Sequence, residues 1–96
     1  METIWKFQIP IQDEITIGMP AGARILAVQT QGADTQELTM WALVNPGSRR
    51  SSDVVARSFR LFGTGYTMPE GVVLNYIGTC QMHDGRLIWH LFEEIG

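Results

Sequence analysis

The 96 residues are 45% hydrophobic and include three Trp, four Phe and two Tyr, enough for a single domain, 1–96, to fold around its own core. The charged fraction is 18%, below the roughly 25% of an average soluble domain. This composition excludes a disordered chain and leaves a surface apolar enough to meet a partner or a second copy. A net charge of −3 disfavours non-specific nucleic-acid binding, although residues 46–62 set Arg49, Arg50, Arg57 and Arg60 against Asp53 alone.

Period-2 alternation runs from end to end. Trp5, Phe7, Ile9 and Ile11 alternate with Lys6, Gln8 and Pro10 in an opening strand. Pro10 cannot donate to a ladder, so this strand ends there or lies at an edge. Ile15, Ile17 and Met19 mark a second strand, closed by the turn Pro20-Ala21-Gly22. Residues 23–31 are strand-like and Gly32-Ala33-Asp34 breaks them. Leu38 to Val44 is a short apolar run stopped by Asn45-Pro46-Gly47, and its Thr, Trp and Val content reads as a buried strand.

Residues 45–54 form the long polar loop, and Val55 to Phe62 returns to strand. Gly63-Thr64-Gly65 and Pro69-Glu70-Gly71 follow as turns, with a helical turn allowed near 69–75. The last two strands form a hairpin about Asp84-Gly85, a pair suited to a type I′ turn. That turn sets Met82 opposite Leu87, Gln81 opposite Ile88, Cys80 opposite Trp89, Thr79 opposite His90, Gly78 opposite Leu91 and Ile77 opposite Phe92. Large residues fall on both faces, placing the hairpin centrally or between two layers. The sum is a mainly all-β fold, a small antiparallel sandwich or partly closed barrel of six or seven strands.

Cys80 is the only cysteine, so neither an intramolecular disulfide nor a Cys-based zinc site forms. Met1–Lys6 lacks a charged-then-apolar leader and no apolar run approaches the roughly 20 residues of a membrane helix. The expected setting is the cytoplasm, with no membrane partner.

No compact His, Asp and Glu set completes a metal site or a catalytic group, and no cofactor is expected. His83 sits beside a turn and His90 in a strand. Cys80 and His90 point to opposite faces, so the thiol reads as structural. Asp13-Glu14 and Glu93-Glu94 are each split across two faces by alternation and read as solvated charges. The three Trp read mostly as packing.

The loop Gly63-Thr64-Gly65 lacks the Gly-Lys-Ser/Thr ending of a P-loop, and Met68 stands where a dinucleotide fingerprint needs its third glycine. It serves either as a turn requiring positive φ or, with Arg60 upstream, as a backbone anion nest. Arg60, Gly63, Thr64, Gly65 and Tyr66 are therefore the candidate ligand-binding residues. They would supply a cation, backbone donors and a stacking ring. Arg57 and Arg60 are three positions apart and point to opposite faces.

Several segments stand out together: Ile4-Trp5-Lys6-Phe7, Trp41-Ala42-Leu43-Val44-Asn45-Pro46, Phe59-Arg60-Leu61-Phe62-Gly63-Thr64-Gly65, Tyr76-Ile77-Gly78-Thr79 and Trp89-His90-Leu91-Phe92-Glu93. Across most of its length the chain resembles an uncharacterised family of small bacteriophage and prophage proteins. It departs from that pattern at Tyr66, where the resemblance leads one to expect histidine, and in its longer arginine-bearing loop. The resemblance implies origin and size, and brings no activity with it.

The leading expectation is a non-enzymatic phage-type accessory protein that binds a host protein or itself, in the manner of counter-defence proteins. A second is a sponge for a small phosphorylated or nucleotide signal, with a small anionic ligand at Arg60 and the glycine loop. A third is a minor virion or assembly component, which exposed strand edges would suit. A small hydrolase using His90 ranks last.

Overall fold

A computed structural model describes residues 1–31, 36–47 and 53–95. The expected break at Gly32-Ala33-Asp34 lies outside the described residues, as do Arg49 and Arg50. Seven strands follow in chain order: β1 (Thr3–Pro10), β2 (Glu14–Pro20), β3 (Arg24–Thr30), β4 (Glu37–Val44), β5 (Val54–Gly63), β6 (Leu74–Met82) and β7 (Leu87–Glu94). They form a three-stranded sheet in the order β1-β4-β3 and a four-stranded sheet in the order β2-β5-β7-β6. Every pairing is antiparallel. No helix among the described residues is long and apolar enough to cross a membrane.

The alternation in the sequence becomes an inner and an outer face on each sheet. Ile15 and Met19 point inward from β2, Phe59 and Leu61 from β5, and Leu91 from β7, all buried. From the other sheet come Ile9, Val28, Leu38, Met40, Ala42 and Val44. These side chains form one core between the sheets. Phe59 is fully buried at its centre, and truncating such a ring to alanine costs about 3–5 kcal/mol.

The sandwich expectation holds, and the two sheets do not close into a barrel. No ladder joins β3 to β6, the edges at which the two sheets would close. These edges nonetheless touch at Gly78, where an added Cβ would lie 2.7 Å from Val28 Cγ1. Pro10 closes β1, an edge strand, as a residue without an N–H should.

The final hairpin keeps its expected register from Gly78–Leu91 to Met82–Leu87. Asp84 and Gly85 have φ of 55° and 85°, and the Arg86 N–H donates to the His83 carbonyl at 3.1 Å, as a type I′ turn requires. His83 also adopts a positive φ, 53°. The expected Ile77–Phe92 pair is replaced by Tyr76–Phe92, because β6 shifts register between Tyr76 and Gly78. A bulge inserts one extra residue and turns the following side chains over. Of the hairpin's strands β7 is central, between β5 and β6, whereas β6 is an edge. The helical turn allowed near 69–75 does not form: residues 66–73 are irregular, Gly71 has φ of 80°, and β6 begins at Leu74.

Candidate functional site

The candidate residues lie at the end of β5 and in the turn beyond it. The Tyr66 N–H donates to the Gly63 carbonyl at 3.1 Å, and Gly65 has φ of 90°. A positive φ at the third residue of a four-residue turn is the glycine position of a type II turn. Gly63 is needed for a different reason: a Cβ there would lie 3.2 Å from Tyr66 Cε1. The glycines thus fold the Tyr66 ring back against the strand end, with the ring 63% exposed.

This turn delivers Thr64 to the outer face of the four-stranded sheet. Thr64 Oγ1 lies 2.8 Å from His90 Nε2, and Thr79 Oγ1 lies 2.9 Å from His90 Nδ1. The Tyr76 hydroxyl bonds Thr79 Oγ1 in turn. A neutral imidazole donates through one nitrogen and accepts at the other, and hydroxyls rotate to suit. The chain Thr64–His90–Thr79–Tyr76 is therefore self-consistent in either tautomer. Beside it Phe92 makes edge-to-face contacts with Phe62 at 5.7 Å and with Tyr76 at 5.4 Å.

Arg60 shares that outer face. Its Nη1 bonds Glu94 Oε1 at 2.7 Å and reaches Glu14 Oε1 at 3.3 Å. Its guanidinium carbon lies 5.9 Å from the centre of the Phe62 ring, within cation–π range, and its Nε is buried without a partner. Next to it a shallow depression of about 340 Å³ runs between Arg60, Phe62, Tyr66 and Met68. The structure thus gathers Arg60, Gly63, Thr64 and Tyr66 along one margin of the sheet, while Gly65 acts through backbone geometry alone.

Arg57 takes the inner face, opposite to Arg60 as their three-residue spacing predicts. Its Nε and Nη2 bond the two oxygens of Glu93 at 2.6 and 2.7 Å, and Nη1 donates to the Ala23 carbonyl at the start of the other sheet. The hydrogen bonds that Arg57 donates to the Glu93 carboxylate hold the Arg57 pKa above its already high usual value. Reading Glu93-Glu94 as solvated charges therefore needs correction. The split across two faces is real, but each carboxylate meets an arginine on β5.

Cys80 is buried, and burial pushes its thiol pKa up, the opposite of an activated nucleophile. The register also sets it on the face away from His90. Of the three Trp, Trp89 packs against the core as expected, although none is fully buried. Trp5 is 42% exposed, Trp41 and Trp89 are half-buried, and the Trp89 indole N–H has no partner. No cluster of three or more His, Cys, Asp or Glu suited to a metal occurs among the described residues.

Sequence reasoning paired Thr79 with His90 but missed the rest of the outer-face group. The missing partners, Thr64, Tyr76, Glu94 and Glu14, arrive through the β5–β6 connection, a bulge and long-range pairing, none of which alternation encodes.

Fold and site together define a small all-β sandwich with an aromatic and hydroxyl-rich outer sheet face. Residues 1–96 match the family described as Domain of unknown function (DUF7352), and the chain belongs to that family. No curated protein and no solved structure matches it.

Proposed function

We propose that this is a non-enzymatic accessory protein of phage type that acts by binding a bacterial host protein through the outer face of the β2-β5-β7-β6 sheet. The observation that carries this reading is the character of that face. Tyr66 and Tyr76 are 63% and 60% exposed and stand beside Phe92, His90, Thr64 and Thr79. Tyrosine offers large contact area at low conformational entropy, and hydroxyls adapt their hydrogen bonds, a combination typical of protein-binding surfaces. The charged strand residues of the face, Glu14, Arg60 and Glu94, are paired with one another, so docking need not desolvate an isolated charge.

The same pairing favours protein binding over sequestration of a phosphorylated signal. An anion at Arg60 would have to displace Glu94 from a 2.7 Å contact. The phage-type origin, and with it a counter-defence role in the host cytoplasm, rests on the sequence resemblance. Self-association through the same face is the runner-up, since exposed tyrosines serve a second copy equally well.

A quantitative pull-down from bacterial lysate tests the proposal with the tagged chain and a Tyr66→Ala/Tyr76→Ala variant. The expected result is one enriched host protein that the variant loses, with thermal unfolding of the variant unchanged. Recovery of the tagged chain with only its own untagged copies, or equal capture by the variant, contradicts it.

A further inference from the structure

The two edges that face each other across the sandwich, β3 and β6, are both irregular where they part. β3 shifts register between Ile25 and Ala27, and β6 between Tyr76 and Gly78. Beyond the close contact of Val28 with Gly78 the edges separate around a cleft of about 420 Å³, walled by Ile25 and Leu26 on one side and Tyr76 and Ile77 on the other. An edge strand presents unpaired N–H and C=O groups, and a bulge leaves an extra residue unpaired in its own ladder. The cleft is thus walled by backbone donors and acceptors that no ladder between the sheets satisfies.

Arg57 and Glu93 also line this cleft. Three of the five guanidinium N–H groups of Arg57 are held by Glu93 and the Ala23 carbonyl, which leaves one on each terminal nitrogen. Arg24 stands on the rim, exposed and without a hydrogen bond or ion pair to a described residue. Two arginines against one carboxylate make the cleft locally positive in a chain of net charge −3. The apolar rim is open too, with Leu26 44% exposed.

The geometry points to a docking site for an extended peptide segment that carries an acidic side chain. Its backbone adds to the free edge of β3 or β6 by strand addition. Its carboxylate meets Arg24 and the spare N–H groups of Arg57, and its flanking apolar side chains lie on Leu26 and Ile77. The site is separate from the outer-face reading and shares only Tyr76 with it.

Fluorescence anisotropy of the full chain with a labelled pentapeptide of alternating valine and glutamate tests this. The peptide binds saturably, its lysine counterpart does not, and Arg24→Glu weakens binding at least about tenfold, as loss of a charge-assisted contact should. N-methylation of alternate peptide amides weakens binding as well, and Tyr66→Ala leaves it unchanged. Because Arg24 is exposed and bonds no described residue, its variant folds normally, which thermal unfolding verifies. Equal binding of the acidic and basic peptides, or no effect of Arg24→Glu, overturns the site. Free glutamate binding as tightly as the peptide, or indifference to N-methylation, overturns the extended-segment occupant.

Discussion

The two arginine–glutamate pairs of β5 and β7 are built from the same strands and residue types, yet they do different work. Arg57–Glu93 lies on the inner face, with side chains 22% and 13% exposed, is bidentate, and reaches the other sheet through Ala23. Arg60–Glu94 lies on the outer face, is held through one guanidinium nitrogen, and shares Arg60 with Glu14, which is 73% exposed. The inner pair ties two sheets together; the outer pair ties three strands of one sheet. Alternation explains how both arise, since residues three apart on one strand and adjacent on its neighbour fall on opposite faces. Geometry then decides their weight, since the two arginines are similarly shielded, at 22% and 20% exposed. Arg57 is held bidentately, while Arg60 makes a single contact to Glu94 and shares itself with the exposed, screened Glu14.

That comparison is most easily broken at the inner pair. Arg57→Ala leaves Glu93 shielded without its cation and frees the Ala23 carbonyl. The expected loss is about 2–3 kcal/mol, below the range for a fully buried pair because the site is partly wet. For a domain of this size it lowers Tm by roughly 10–20 °C. Urea denaturation checks it, and a loss below that of the outer variant would reverse the assignment.

Arg60→Ala is the matched measurement on the outer face. Glu94 and Glu14 regain water there, so the expected loss is about 1 kcal/mol or less, much of it from packing over Phe62. Raising the salt from about 0.1 to 1 M should erode the Arg60 contribution more than that of Arg57.

The smallest effect sharpens the same contrast one register position away, where Cys80 faces the core and Thr79 the outer network. Burial raises the folded-state pKa of the thiol. Its contribution is therefore complete below the unfolded thiol value, roughly 8.5, and is lost as pH rises through the folded value. Between about pH 7 and 9 the chain should lose under about 1 kcal/mol more stability than Cys80→Ala. Parallel urea titrations at the two pH values measure the difference, and equal pH slopes would place the thiol in water.

Much of the fold was legible because its signals are local. Asp84-Gly85 set the hairpin register, and with it the opposition of Thr79 to His90 and of Cys80 to Trp89. Alternation likewise separated Arg57 from Arg60. The connections between strands distant in sequence were not legible. Nothing near Glu93 or Glu94 signals that β7 will lie against β5, so alternation alone leaves both as solvated charges. The bulges at Leu26 and Ile77 are equally silent, because neither residue is a glycine marking irregular backbone. The glycine turn was visible as a turn, but that it carries Thr64 to His90 depends on where β7 lies.

The central claim is that the outer face, its charges already paired, is a protein-binding surface and not an anion trap. Native mass spectrometry of the protein purified from a bacterial host, before and after denaturation, tests it most directly. The account predicts a chain that releases no small molecule. A nucleotide-like mass freed on denaturation, and absent from Arg60→Ala, would contradict it.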